Sequence, residues 1–254
     1  MGDGEFFGGY TENMRAHTLA PAASQTQSGF DFIKANTDPE SSKTTELGYR
    51  YSNGPFQGVV AAYFVKFEDR LLGLSSGAGI IGNPSVIKNV GSVTTRGLEL
   101  AGSYDLNDEW TLFGSYAFND STYDDDVVDA TLPAPILTGG KTVVNAPEHL
   151  LKADLGYDNG SLYGKLSVAY TGERFFSYDN LAEVDAYTLV DLTAGYRFGG
   201  NDMLEGAELQ FNVTSNRSPS STASVLTVSC GSVRRAWANS LASHAAMAAS
   251  RAAA

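Results

Sequence analysis

Few side chains in this sequence are grouped as chemistry would require. The three histidines, His17, His149 and His244, lie far apart, and no pair has the spacing of metal ligands. Asp124-Asp125-Asp126 is the densest acidic run, but calcium would need further oxygen ligands at fixed spacing, which the following residues do not supply. The run reads as a solvated acidic loop. A Ser-His-Asp trio can be assembled from almost any chain of this size, and no nucleophile elbow or Cys-His pattern accompanies one here. Cys230 is the single cysteine and can form no internal disulfide. No catalytic residue, metal or cofactor is expected, and the chain does not read as an enzyme.

The rest of the composition speaks of architecture. Among 254 residues there are 27 Gly, 13 Tyr and 13 Phe, a mixture that favours many strands and tight turns over helices. No run approaches the ~18 apolar residues of a membrane helix, so only strands could take this chain through a bilayer. The net charge is −12, and all 29 acidic residues precede position 216. Such an acidic body excludes nucleic acid, which needs clustered Lys and Arg. The start, Met1-Gly2-Asp3-Gly4-Glu5, lacks the basic and apolar regions of a signal peptide, so an internal fragment or a truncated reading frame is expected.

Period-two alternation recurs along the chain. Leu98, Leu100, Gly102, Tyr104 and Leu106 share one face, with Glu99, Ser103 and Asp105 opposite. Trp110, Leu112, Gly114, Tyr116 and Phe118 repeat the pattern against Thr111, Ser115 and Asn119. So do 151–157, 162–170, 190–198 and 207–214, while 47–51, 56–67 and 6–11 are strand-like. This predicts about nine strands. Their connections alternate between short turns at 53–55, 107–108, 158–160 and 199–206 and long loops near 12–42, 72–91, 124–147 and 172–185.

Alternation alone also fits a soluble sheet whose apolar face meets a core. Aromatic placement favours a membrane barrel. Tyr51, Phe56, Tyr104, Trp110, Tyr157, Tyr163, Tyr196 and Phe198 flank the short turns, and Tyr116, Phe118 and Tyr170 sit at the far ends. From Trp110 to Phe118 a tilted strand climbs ~20 Å, close to the ~25 Å band between aromatic girdles. The expected fold is therefore all-β: a portion of an antiparallel up-and-down transmembrane β-barrel, an open curved sheet with short periplasmic turns and long extracellular loops.

Four stretches carry a family resemblance: Glu46-Leu-Gly-Tyr-Arg-Tyr51, Asn89-Val-Gly-Ser-Val-Thr-Thr-Arg-Gly-Leu-Glu-Leu100, Ala186-Tyr-Thr-Leu-Val-Asp-Leu-Thr-Ala-Gly-Tyr-Arg-Phe198 and Glu208-Leu-Gln-Phe-Asn-Val-Thr214. In this order they resemble the C-terminal part of the barrel of TonB-dependent outer-membrane receptors. The resemblance implies a bacterial outer-membrane location and energy-dependent uptake of a scarce solute, usually a ferric siderophore, through a ~22-stranded barrel. It also implies a TonB complex reached through a plug domain that this stretch lacks, and outer-membrane lipid around the wall. By the same analogy Arg15 and His17, in the first long loop, would meet an anionic ferric chelate. A passive porin, or a soluble β-protein or outer-membrane enzyme, are the alternatives.

The likeness covers about residues 5–215, and 1–215 is taken as the partial barrel. Residues 216–254 hold four Arg and no acid and are rich in Ala and Ser. That tail is expected to be disordered or helical, the product of a shifted frame or vector sequence. An uninterrupted frame encoding it in the intact locus would overturn this origin.

Overall fold

A computed structural model describes residues 3–15, 38–75, 85–89, 91–126, 137–199, 207–218 and 221–230. Within them the regular structure is entirely β. The strands are β1 (Asp3–Arg15), β2 (Glu40–Asn53), β3 (Phe56–Glu68), β4 (Leu71–Ser75), β5 (Ser85–Asn89), β6 (Val93–Asp105) and β7 (Trp110–Tyr123). They continue as β8 (His149–Asp158), β9 (Leu162–Thr171), β10 (Arg174–Phe175), β11 (Glu183–Val184), β12 (Tyr187–Arg197), β13 (Glu208–Ser218) and β14 (Ser221–Cys230). Ten of them form one sheet in the order β1-β2-β3-β6-β7-β8-β9-β12-β13-β14, with β1 and β14 at its ends. The pairs β4-β5 and β10-β11 are separate two-stranded ladders inside two of the long connections.

All nine alternating segments are strands, and most run further than the alternation does. Strand β7 continues from Phe118 to Tyr123, and β6 begins at Val93. Thr94, Thr95, Ser121 and Thr122 sit in these extensions. β-Branched and small polar residues pair well, but the outer face there is polar, with Thr94, Arg96, Asp120 and Thr122, while the apolar Val93 and Tyr123 turn to the inner face, so the apolar rhythm of the lipid face does not continue. Two expectations change. Arg15 is the last residue of β1, paired with Glu40, and not part of a loop. The tail contributes a tenth strand where disorder or helix was expected: Ser221–Cys230 pairs with β13, with Val213 opposite Leu226 and Phe211 opposite Val228. Only Leu226-Thr-Val-Ser229 alternates there, too short a stretch to mark a strand. Residues 231–254 lie outside the described residues.

By packing, the chain divides into two units, one of Met1–Leu106, Thr111–Asp154 and Val168–Leu189, the other of Asn107–Trp110, Leu155–Ser167 and Val190–Ala254. In the first, registers align three glycines, Gly58, Gly102 and Gly114, in one row across β3, β6 and β7. The next rows on that face are Val60, Leu100 and Tyr116, then Ala62, Leu98 and Phe118. The opposite face carries Ala61, Glu99 and Ala117, then Tyr63, Gly97 and Asn119.

Burial is inverted relative to a water-soluble sheet. Leu47 is 65 % exposed, Leu112 44 % and Leu192 47 %, all on the apolar face. The buried hydrophobics among the described residues are Ala61, Val65, Phe67, Val93, Tyr123 and Tyr163, and all of them point to the other face. An apolar face left bare along successive strands needs a nonaqueous solvent. In the second unit the turns are shaped by short polar side chains. Asn107 Oδ1 accepts from the Glu109 and Trp110 amides at 2.9 Å, and Asn159 Oδ1 from Ser161 and Leu162. These turns place Trp110 on Tyr157, with ring centroids 4.7 Å apart, at the edge of the apolar band.

Candidate functional site

The inner face is polar along its middle and covered at its loop end. Tyr63 reaches across Gly97 to donate its hydroxyl to Asn119 Oδ1 at 3.0 Å. Only glycine fits beneath that ring, because a Cβ on residue 97 would lie 2.4 Å from both the Tyr63 ring and the Phe118 carbonyl oxygen. The same device recurs at Gly48 under Phe7 and, in the second unit, at Gly195 under Tyr163. Tyr163 therefore belongs to the inner wall, although its position beside a short turn grouped it with the girdle. There it also donates to Glu208 and lies 4.3 Å beneath the Arg197 guanidinium.

Several charges on the inner wall are paired at close range. Lys152 and Asp154 are 3.5 Å apart, Arg50 and Glu5 3.5 Å. Arg197 holds Asp158 in a two-pronged contact of 2.8 and 3.0 Å. Glu99 occupies the row below Tyr63 and Gly97. Such a wall hydrates readily and leaves no extended apolar surface to retain a polar solute.

The loop end is closed over by its own connections. The segment following β7 folds back along that strand. The Val143 amide donates to the Ser121 carbonyl at 2.9 Å, the Tyr123 amide to the Lys141 carbonyl at 2.9 Å, and the Asn119 amide to the Glu148 carbonyl at 2.9 Å. The connection after β9 then grips this segment: Asn180 accepts from the Thr142 amide at 2.8 Å and donates to the Thr142 carbonyl at 3.0 Å. Beneath them Val65, Phe67, Val93 and Tyr123 form a buried cluster against which Tyr63, Val143 and Tyr178 pack. Within 177–182 the Ser177 hydroxyl and the Leu181 amide both donate to Asp179 and hold its carboxyl below the usual range.

The three consecutive aspartates are spent on this architecture. Asp124 accepts from the Thr94 hydroxyl, Asp125 from the Ser92 amide and Asp126 from the Gly139 amide. No metal-ligand cluster occurs among the described residues. Of the candidate ligand contacts, Arg15 is exposed at the loop end of β1. His17 lies outside the described residues, as does His244. His149 is on the apolar face, its Nδ1 2.9 Å from the Tyr116 hydroxyl. Sequence reasoning missed the contributions of Asn119, Asn180 and Tyr178, whose partners are 38 to 56 residues away or stack across connections.

A family model described as the TonB-dependent receptor-like β-barrel matches residues 3–214. The chain belongs to that family. Its members are transport receptors of the outer membrane, and this β-sheet is outer-membrane barrel wall. The apolar face is thus the lipid face, and the inner face lines the lumen. The metal-pseudopaline receptor CntO of Pseudomonas aeruginosa is 29 % identical over 184 residues, covering 69 % of this chain and 24 % of that receptor. The chain therefore spans about a quarter of the length of that curated relative. Solved structures agree in fold. The ferric citrate transporter FecA matches with a TM-score of 0.62 at 18 % identity, covering 83 % of this chain and 31 % of the other. The siderophore receptor PiuA from Acinetobacter baumannii matches with 0.61 at 17 % identity, covering 83 % and 29 %.

Proposed function

We propose that the receptor containing this barrel segment imports a metal chelate, a ferric siderophore first among the candidates, driven by the TonB complex through a plug domain encoded elsewhere in the protein. The observation that carries this reading is the family match over residues 3–214. The printed functions of similar proteins, a metal-pseudopaline receptor and a ferric citrate transporter, support a chelated metal as cargo. The inner wall described above supports passage of a polar solute, because it is polar along its middle and its aromatic rings are packed over glycines. Arg15, exposed at the loop end, and His17 two residues on are proposed to meet the anionic chelate as it arrives.

Uptake of radiolabelled ferric siderophores by a strain carrying the full gene tests this. Uptake should require TonB and should fall when Arg15 and His17 are both replaced by Ala, through a higher half-saturation concentration. TonB-independent entry of small neutral sugars, with no ferric uptake, would replace it with a passive porin.

A further inference from the structure

The row of Gly58, Gly102 and Gly114 opens a trough in the lipid face. Its volume is about 710 Å³, within the ~300–1,000 Å³ range of small-molecule sites. The floor is backbone, with the Phe56 ring lying against it at Gly58. A Cβ on Gly114 would meet nothing within 4 Å. Phe56 stands on one side, Tyr49, Val60, Leu100 and Tyr116 form the row on the other, and Tyr51 closes the glycine row at its β2 end. From the row of Phe56 to that of Val60 the strand advances four residues, ~13 Å, so the trough is a slot one glycine row deep between rows of large side chains. It runs across the strands, and strands tilted by ~35–45° incline it to the bilayer normal.

We propose that this trough holds one acyl chain of an outer-membrane lipid, making it a specific lipid-binding site on the barrel wall. Two observations favour a hydrocarbon over any other occupant. Apart from the tyrosine hydroxyls, the lipid-face side chains of the trough are aliphatic or aromatic, and the one charged residue of its lining, Lys152, turns its ammonium to Asp154 on the inner wall, 3.5 Å away, so a polar ligand finds few partners there. The trough is also continuous with the exposed leucines that already meet lipid, Leu98, Leu100 and Leu112. An extended chain laid in it gains contact on three sides where the remaining wall offers one.

The test is native mass spectrometry of the complete receptor, purified in detergent, stripped of lipid and titrated with dipalmitoyl phosphatidylethanolamine. Gly114→Leu fills the slot, and Gly164→Leu places the same side chain on a lipid-face glycine outside it. The wild type and Gly164→Leu should retain one lipid at collision energies that strip the others, and Gly114→Leu should lose at least ~80 % of that retained species. Equal retention by all three overturns the site. A wild-type dimer that Gly114→Leu abolishes, with lipid retention unchanged, overturns it in favour of contact between copies. Folding is checked by heat-modifiable gel mobility. If Gly114→Leu fails there, Gly114→Val carries the same comparison. Because lipid retention is read without substrate or TonB, its failure leaves ferric uptake intact and the two readings are separately refutable.

Discussion

Glycine has different surroundings in the inner wall and at the centre of the lipid-face trough. On the lumen face Gly97, Gly48 and Gly195 lie beneath the rings of Tyr63, Phe7 and Tyr163. On the lipid face Gly4 and Gly58 likewise lie against the rings of Tyr49 and Phe56, but Gly114 is open, and with Gly58 and Gly102 it leaves a trough. Glycine in a strand interior weakens the strand unless something approaches closely. The lumen-face glycines recover that loss with ring packing, and Gly114 leaves it to the solvent. The lumen wall is thus organised by contacts within the protein, whereas the lipid wall is shaped for contacts outside it.

The strongest way to break this contrast is to add the same side chain to both faces of the complete receptor. Gly97→Leu should abolish or greatly diminish the folded, heat-modifiable species, since overpacking against a ring and a carbonyl costs ~1–3 kcal/mol or more. Gly114→Leu should leave that species intact. Equal tolerance of both would erase the distinction between the faces. Next in size is Asn180→Ala, which removes two hydrogen bonds to Thr142, about 1 kcal/mol each. Hydrogen exchange at residues 140–148 should quicken by about tenfold or more while the central strands stay protected.

Smaller effects sharpen the picture. Tyr63→Phe keeps the ring over Gly97 and loses only the bond to Asn119, so denaturant midpoints should show ~0.5–1.5 kcal/mol of destabilisation. Tyr63→Ala should exceed it clearly if ring packing on glycine matters more than the hydroxyl. Arg197→Lys, at a pair that solvent reaches, should cost only ~0.2–1 kcal/mol in the same assay. Acid should have the least effect. Asp179 has a lowered pKa when folded, so its contribution is present above the unfolded value and lost as pH falls through the folded one. Exchange in 177–182 should rise below about pH 4 in the wild type and be less pH-dependent in Asp179→Asn.

Local pattern made much of this legible. Where a strand crosses the apolar band, one face meets lipid and the other water, so Leu98 to Leu106 and Trp110 to Phe118 show a clean period of two. The turns at 107–110 and 158–162 were equally readable, because Asn107 and Asn159 satisfy amides two and three residues away. Outside the band the outer face turns polar while Val93 and Tyr123 are buried on the inner one, so the apolar period of the lipid face breaks off, which hid the loop-end halves of β6 and β7. The strand at 221–230 was masked for another reason: its surroundings change abruptly in charge and composition, and its rhythm spans only a few residues. Arg15 was assigned to a loop because nothing local separates a polar strand end from the loop beyond it.

The sequence by itself determined for most strands which residues face lipid, where the chain turns tightly and which barrel family it joins, since each depends on neighbours within a few positions. The tertiary structure alone decided what those residues meet. Register sets Tyr63 over Gly97, thirty-four positions away, and brings Gly58, Gly102 and Gly114 into one row. The fold-back along β7 hands Thr142 to Asn180. Cross-strand partners are fixed by the sum of many backbone hydrogen bonds and by burial along the whole ladder, and no single stretch of residues carries that sum.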